Sequence, residues 1–285
     1  MERTELISPR FGTPATSRLR ATECKRLGVF LALSAAAFLF AVAGASFIPR
    51  SLPDLLRRWA HPNIFVPLGM AITIHMLRRD FSDLSASERF NPWPIAKSSA
   101  GCLVAGAGLL ALTIPVFVFA FGLRWSINAA FSGTAMAFTL WGIIITAAAE
   151  EIGFRGYAFW RLIRLIGFWP AQATVAGLFS LSHLTLGGYT LLPALVGTVT
   201  GSLLFGAVFA RTHSLAAPIA LHTGWNVSQH LLLSPLDPTA TPLLARFPHA
   251  PSKGEFTLML AWMGLVMAGS MVVALRFKVR PVSEK

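Results

Sequence analysis

The chain has 285 residues, 54% of them hydrophobic and only 13% charged, with a formal net charge of +12. A mean hydropathy of +0.62 excludes an ordinary soluble domain, and apolar runs of about 20 residues, long enough to span a hydrocarbon core, recur along the chain. The basic residues fall in short segments between these runs, which points to a lipid bilayer and not to nucleic acid as the charge partner. Two cysteines, Cys24 and Cys102, are too few for a cysteine zinc site or a disulfide framework.

Residues 1–26 read as a basic tail, followed by eight expected spans at 27–48, 62–77, 98–121, 134–160, 168–186, 190–210, 214–233 and 256–277. Ala43-Gly44-Ala45 has the look of a cleavage site behind a basic leader, but the length of the run favours an uncleaved helix. The second span is short and contains Pro67, so it is expected to tilt, kink or stop short of crossing. Pro115 predicts a kink late in the third. Gly197 and Gly201 form a small-xxx-small pair suited to close helix packing. Residues 234–255 carry five prolines and read as an outer loop without long helices. Residues 278–285 form a second short tail.

Alternating the spans puts eighteen Lys and Arg on one side and six on the other, which predicts both termini in the cytoplasm. The expected fold class is therefore an all-α polytopic membrane protein, about eight transmembrane helices in one bundle. Residues 27–121 supply the first three helices and 134–233 a chemistry-bearing core. No internal repeat is present, which disfavours an inverted-repeat transporter.

Glu150 and Glu151 stand side by side in the apolar run from Thr134 to Trp160, where Arg155 is the only other charge. Adjacent carboxylates at membrane depth cost several kcal/mol unless paired, protonated or lining a polar cavity, so they mark function. On a helix they point about 100° apart. Glu151 and Arg155, spaced i,i+4 with the acid first, suit an ion pair. Glu150 is left for another task, and a desolvated carboxylate has a raised proton affinity suited to general base or acid work.

Phe179 and His183 share one face of the next helix, and an imidazole beside a carboxylate can hold and polarise a water. His222 and Asn226 lie one turn apart on a third helix, two donors able to stabilise an oxyanion, with Gly224 between them leaving room for close approach. His230 reads as packing, while His61, His75, His213 and His249 fall in loops or at span ends. Counted along the helices, Glu150 lies about 16 Å from Arg161 taken as a cytoplasmic anchor, and His183 and His222 lie about 22 and 12 Å from their span starts. A His-Glu-x-x-His helix, a Gly-x-Ser-Gly sequence and an intramembrane aspartate are all absent, which argues against the corresponding metalloprotease, serine protease and aspartyl protease types.

Glu-Glu-x-x-x-Arg, Phe-x-x-x-His and His-x-x-x-Asn, in that order on separate apolar helices, resemble the motifs of the CPBP family. That family contains the CAAX prenyl-protein endopeptidases, or Ras-converting enzymes, and the bacterial proteins named for abortive infection. The resemblance covers about Thr134 to Leu233. It implies an eight-helix intramembrane endopeptidase acting on a membrane-associated or lipidated substrate. Glu150 would activate the water with help from His183, and His222 and Asn226 would hold the oxyanion. Glu151, Arg155 and Phe179 would support them. Metal dependence stays open: Glu150, His183 and His222 suit a zinc ion with an open fourth position, and a glutamate–water mechanism without metal also fits. The competing readings are a non-catalytic immunity or scaffold protein on the same fold, and a proton-coupled transporter.

Overall fold

The computed structural model describes residues 17–49, 51, 60–80, 92–185, 190–212, 214–233 and 237–276. Most of the expected N-terminal tail, the short tail 278–285, the start of the proline-rich loop at 234–236, and Arg50, Arg57, Arg58, Arg89 and His213 lie outside the described residues.

The helices in chain order are α1 (Ser17–Ser46), α2 (Ala60–Asp80), α3 (Pro92–Ala111), α4 (Ile114–Phe121), α5 (Gly133–Arg155), α6 (Tyr157–Ile166), α7 (Phe168–Thr185), α8 (Leu191–Thr212), α9 (Ala216–Leu232) and α10 (Lys253–Arg276). A short antiparallel ribbon pairs β1 (Arg124–Ile127) with β2 (Leu243–Arg246). Among the described residues, five stretches are long and apolar enough to cross a membrane: Ala21–Ser46, Ser99–Phe121, Gly133–Ile166, Leu191–Thr212 and Lys253–Arg276. The chain is thus a multi-pass helical membrane protein.

Proline placement explains several helix starts. Pro94, Pro115, Pro170, Pro193 and Pro218 each fall in the first turn of a helix. There the missing N–H would have had no partner within the helix. The expected third span breaks before Pro115: α3 ends at Ala111, and the Thr113 hydroxyl turns back to donate to the Leu110 carbonyl at 2.6 Å. Pro67 is the exception, since α2 runs through it from Ala60 to Asp80. Just after Pro193, α8 widens into a π-turn at Ala194–Thr198. The Ala194 carbonyl there accepts the Ser180 hydroxyl of α7 at 3.0 Å and also the Thr198 hydroxyl.

The expected span at 134–160 is two helices. Ser132 caps α5, accepting from the Ala135 N–H at 3.3 Å, and Gly156 ends it. A Cβ at Gly156 would collide with the Ile152 carbonyl and press on the Thr73 hydroxyl, so this corner admits only glycine. The first helix likewise starts ten residues before the apolar run, at Ser17. Its polar first turns find partners in the protein, as Glu23 shows below.

Two compact units divide the chain. Residues 1–94, 130–175 and 236–241 form the first; residues 95–129, 176–235 and 242–285 form the second. In the first, α1 lies along α2 and against α6, and α2 packs on α5. Phe30 of α1 meets Tyr157 of α6 with ring centroids 5.0 Å apart, and Ala37, Ala41 and Phe65 fill a neighbouring cluster. In the second, α8 packs on α9 and α10, while Phe117, Leu123 and Met259 form a core beneath the ribbon.

The closest helix approach in the second unit is between α3 and α9. A Cβ at Gly106 would run into the Leu221 carbonyl, and one at Gly224 into the Leu103 carbonyl. Backbone meets backbone there, as small residues permit in membrane helix pairs. The expected pair on α8 is only half used: Gly201 faces the Met267 side chain, whereas a Cβ at Gly197 would meet open space. Gly106→Leu or Gly224→Leu is expected to lower the thermal midpoint in detergent sharply, on the scale of several kcal/mol for forced overpacking of a rigid contact. Gly197→Ala is expected to leave it within about 0.5 kcal/mol, as for changes that touch nothing.

Candidate active site

The motif residues fall into two groups, one in each unit. In the first unit, α5 carries Glu150, Glu151 and Arg155. The side chains of Glu151 and Arg155 are both 0% exposed, and the Arg155 Nη1 donates to the Glu151 Oε1 at 2.9 Å. The expected ion pair is therefore formed, and fully out of water. Glu150, one residue earlier and about 100° round the helix, is half-buried.

A second buried charge cluster follows in α6. Arg161, expected as an anchor at the cytoplasmic surface, is instead 0% exposed. Its Nη1 donates to the Glu23 carboxylate of α1 at 2.6 Å, and its Nε to the Tyr157 hydroxyl at 2.6 Å. The guanidinium also lies 4.7 Å above the Tyr157 ring. Arg26 and Arg164 approach the other Glu23 oxygen at 3.9 and 4.0 Å. Sequence reasoning missed this cluster by assigning Glu23 to a solvated tail. The available signal was a lone acid among basic residues, placed to continue a helix that no Pro or Gly interrupts before Gly28.

In the second unit, three helices bring two imidazoles and two phenyl rings together. Phe179 and His183 of α7 have ring centroids 4.5 Å apart. Phe179 also stands edge-on to His222 of α9 at 6.3 Å. On its other side His222 stacks on Phe205 of α8, at 4.5 Å with 21° between the planes. Phe205 was not singled out from sequence, where it is one apolar residue in an apolar helix.

The tautomer of His183 follows from its partner. Its Nδ1 lies 2.8 Å from the Phe179 carbonyl oxygen, which can only accept. Nδ1 therefore carries the hydrogen, and the neutral ring keeps its lone pair on Nε2, where it can accept from a water. His222 is buried, and Asn226 lies half-buried one turn further along α9. The other histidines stay outside these groups: His230 is buried in the last turn of α9, and His249 pairs with Glu255 at 3.2 Å. Among the described residues no group of three His, Cys, Asp or Glu side chains that could hold a metal ion is found, and no step is derived through a metal.

Residues 132–228 match the family model described as Type II CAAX prenyl endopeptidase Rce1-like. This is the family that the three motifs resemble. The Rce1-like segment opens on Ser132, the cap of α5, and closes two residues after Asn226, so it contains every motif residue. No curated protein and no solved structure matches the chain.

Losing one partner of the buried pair strands the other. Arg155→Met is expected to destabilise the protein by about 3–5 kcal/mol, whereas replacing both partners with apolar residues should cost far less. Thermal melts of the single and double variants check this, and equal losses would show that the pair does not couple.

Proposed function

We propose that the Rce1-like segment makes this chain an intramembrane endopeptidase that hydrolyses a peptide bond in a membrane-associated or lipidated substrate. In this reading Glu150 is the general base that activates water, with His183 Nε2 as the second group holding it. His222 and Asn226 donate to the oxyanion as the tetrahedral intermediate forms. Glu151 and Arg155 keep α5 in place, and Phe179 spaces the two imidazoles. The eight expected spans act as eight crossings with both termini in the cytoplasm, and the site opens towards that side.

The observation that carries the proposal is the division of labour between neighbouring glutamates. Arg155 neutralises Glu151 inside the protein, where a carboxylate has no other stable state as an anion. Glu150, about 100° round the helix and only half-buried, is the carboxylate of the motif that this reading assigns to proton transfer. The His183 hydrogen bond supports the same reading, since it leaves the distal ring nitrogen basic.

The test is a comparison of new peptide termini in membranes from cells holding the wild-type chain or Glu150→Gln at equal abundance. Termini that depend on Glu150 are expected to vanish, because a general base contributes about 10²–10⁴-fold. Identical termini from the folded variant would remove the assignment and favour the immunity or scaffold reading. Glu150→Gln is isosteric, so its melting temperature should stay close to wild type.

A further inference from the structure

The β1–β2 ribbon carries a charge arrangement that the protease reading does not use. Its register sets Arg124 directly opposite Arg246, Trp125 opposite Ala245, Ser126 opposite Leu244 and Ile127 opposite Leu243. Side chains alternate faces along a strand, and cross-strand partners share a face. Leu123, Trp125, Ala245 and Phe247 pack into the core with Phe117 and Met259. The Trp125 indole N–H donates to the Leu232 carbonyl at 2.9 Å, which pins that face inward. Arg124 and Arg246 therefore share the outward face.

Like charges directly opposite on a ribbon repel, with Cβ atoms about 5 Å apart. Both arginines are exposed, and among the described residues neither is paired with a carboxylate. Glu255, an acid in the same unit, is occupied by the Ser252 N–H and by His249, while its own N–H donates to the Ser252 hydroxyl. The register is locked from both ends: the Asn128 N–H donates to the Pro242 carbonyl at 3.0 Å, and Pro248 packs over Gly122, which sits at φ +68°. The two guanidinium groups cannot move apart by slipping the strands.

The ribbon also lies next to the ends of two candidate membrane spans. It begins three residues after Phe121, the end of the candidate span Ser99–Phe121, and its second strand leads within seven residues to the span Lys253–Arg276. Ile127, at the end of the ribbon on the Trp125 face, is 86% exposed, and Phe119 of α4, five residues before Arg124, is 87% exposed, apolar surface that water disfavours and acyl chains accept. Two adjacent forks of N–H donors match the oxygens of a phosphate.

We propose that Arg124 and Arg246 form a two-guanidinium seat for the phosphate of an anionic phospholipid, which cancels the cross-strand repulsion and fixes the ribbon to the bilayer surface. The chemistry is phosphate binding; the neighbouring apolar side chains assign the source as a lipid headgroup and not a free ion.

The experiment uses the full chain extracted from vesicles of mixed phosphatidylglycerol and phosphatidylcholine, with retained lipid counted by native mass spectrometry. The wild-type chain should retain phosphatidylglycerol preferentially, and the Arg124→Gln, Arg246→Gln double variant should lose that preference by roughly 10- to 100-fold, as expected for losing charge-assisted hydrogen bonds. Arg246→Glu guards against misfolding. It turns the repulsive pair into a cross-strand ion pair, so its thermal midpoint in detergent should hold or rise while the lipid preference disappears. An unchanged preference in either variant overturns the proposal. Release of the lipid by excess inorganic phosphate would assign the seat to a free anion and overturn the lipid source.

Discussion

Two arginines of the first unit have no access to solvent, and the arrangement of that unit follows from how each is neutralised. A guanidinium removed from water costs several kcal/mol even after relaxation, so it must meet a carboxylate in good geometry. Arg155 meets Glu151 within its own helix, while Arg161 meets Glu23 from α1 and the hydroxyl of Tyr157. The single residue Gly156 separates the two helices that carry them. One ion pair therefore stiffens α5 just before the corner, and the other ties α6 to α1 just after it. The corner cannot relax towards a straight helix without drawing Arg161 off Glu23. This is how a glycine break in a long apolar run becomes a defined bend.

In the described residues of the second unit, ring and backbone contacts hold the motif side chains. Its imidazoles are located by ring contacts and by backbone proximity. His222 is held between Phe179 and Phe205, and α9 itself is seated where Gly224 and Gly106 let two backbones touch. Gly224 lies inside the His222–Asn226 motif, so the residue that permits the helix contact and the residues offered to chemistry are fixed together. The π-turn of α8 adds a polar link, since the Ala194 carbonyl, besides accepting the Val199 N–H, takes the hydroxyl of Ser180, next to Phe179 in sequence. π-turns inside α-helices often mark functional sites, and here one anchors α7 a single turn before His183.

Much of this was legible in the residues. Apolar length located a helix at each expected span, and the i,i+4 spacing of Glu151 and Arg155 announced their pair. The spacing of Phe179 and His183, and of His222 and Asn226, put each couple on one face. What could not be read depends on contacts between distant segments. Glu23 and Arg161 are 138 residues apart, and nothing local in a basic leader says that its acid will be buried. Phe205 is indistinguishable from its lipid-facing neighbours until its helix is packed. The ribbon escaped because four-residue strands beside prolines and a glycine carry no alternation long enough to recognise. The break at Gly156 was hidden by a run that stays apolar on both sides of it.

The neighbouring glutamates show how spacing decides which acid of the motif is paired within its own helix. Both sit in the same apolar helix, one residue apart, and composition treats them alike. Helical geometry turns them to different faces, and Arg155 pairs with the one four residues before it. Glu151 is thereby paired inside the protein, at no exposure to water. Glu150, one residue earlier, is half-buried. A motif of two acids and an arginine thus commits one carboxylate to an ion pair by spacing alone, and the pair survives in an apolar helix because the neutralising partner is built into the next turn.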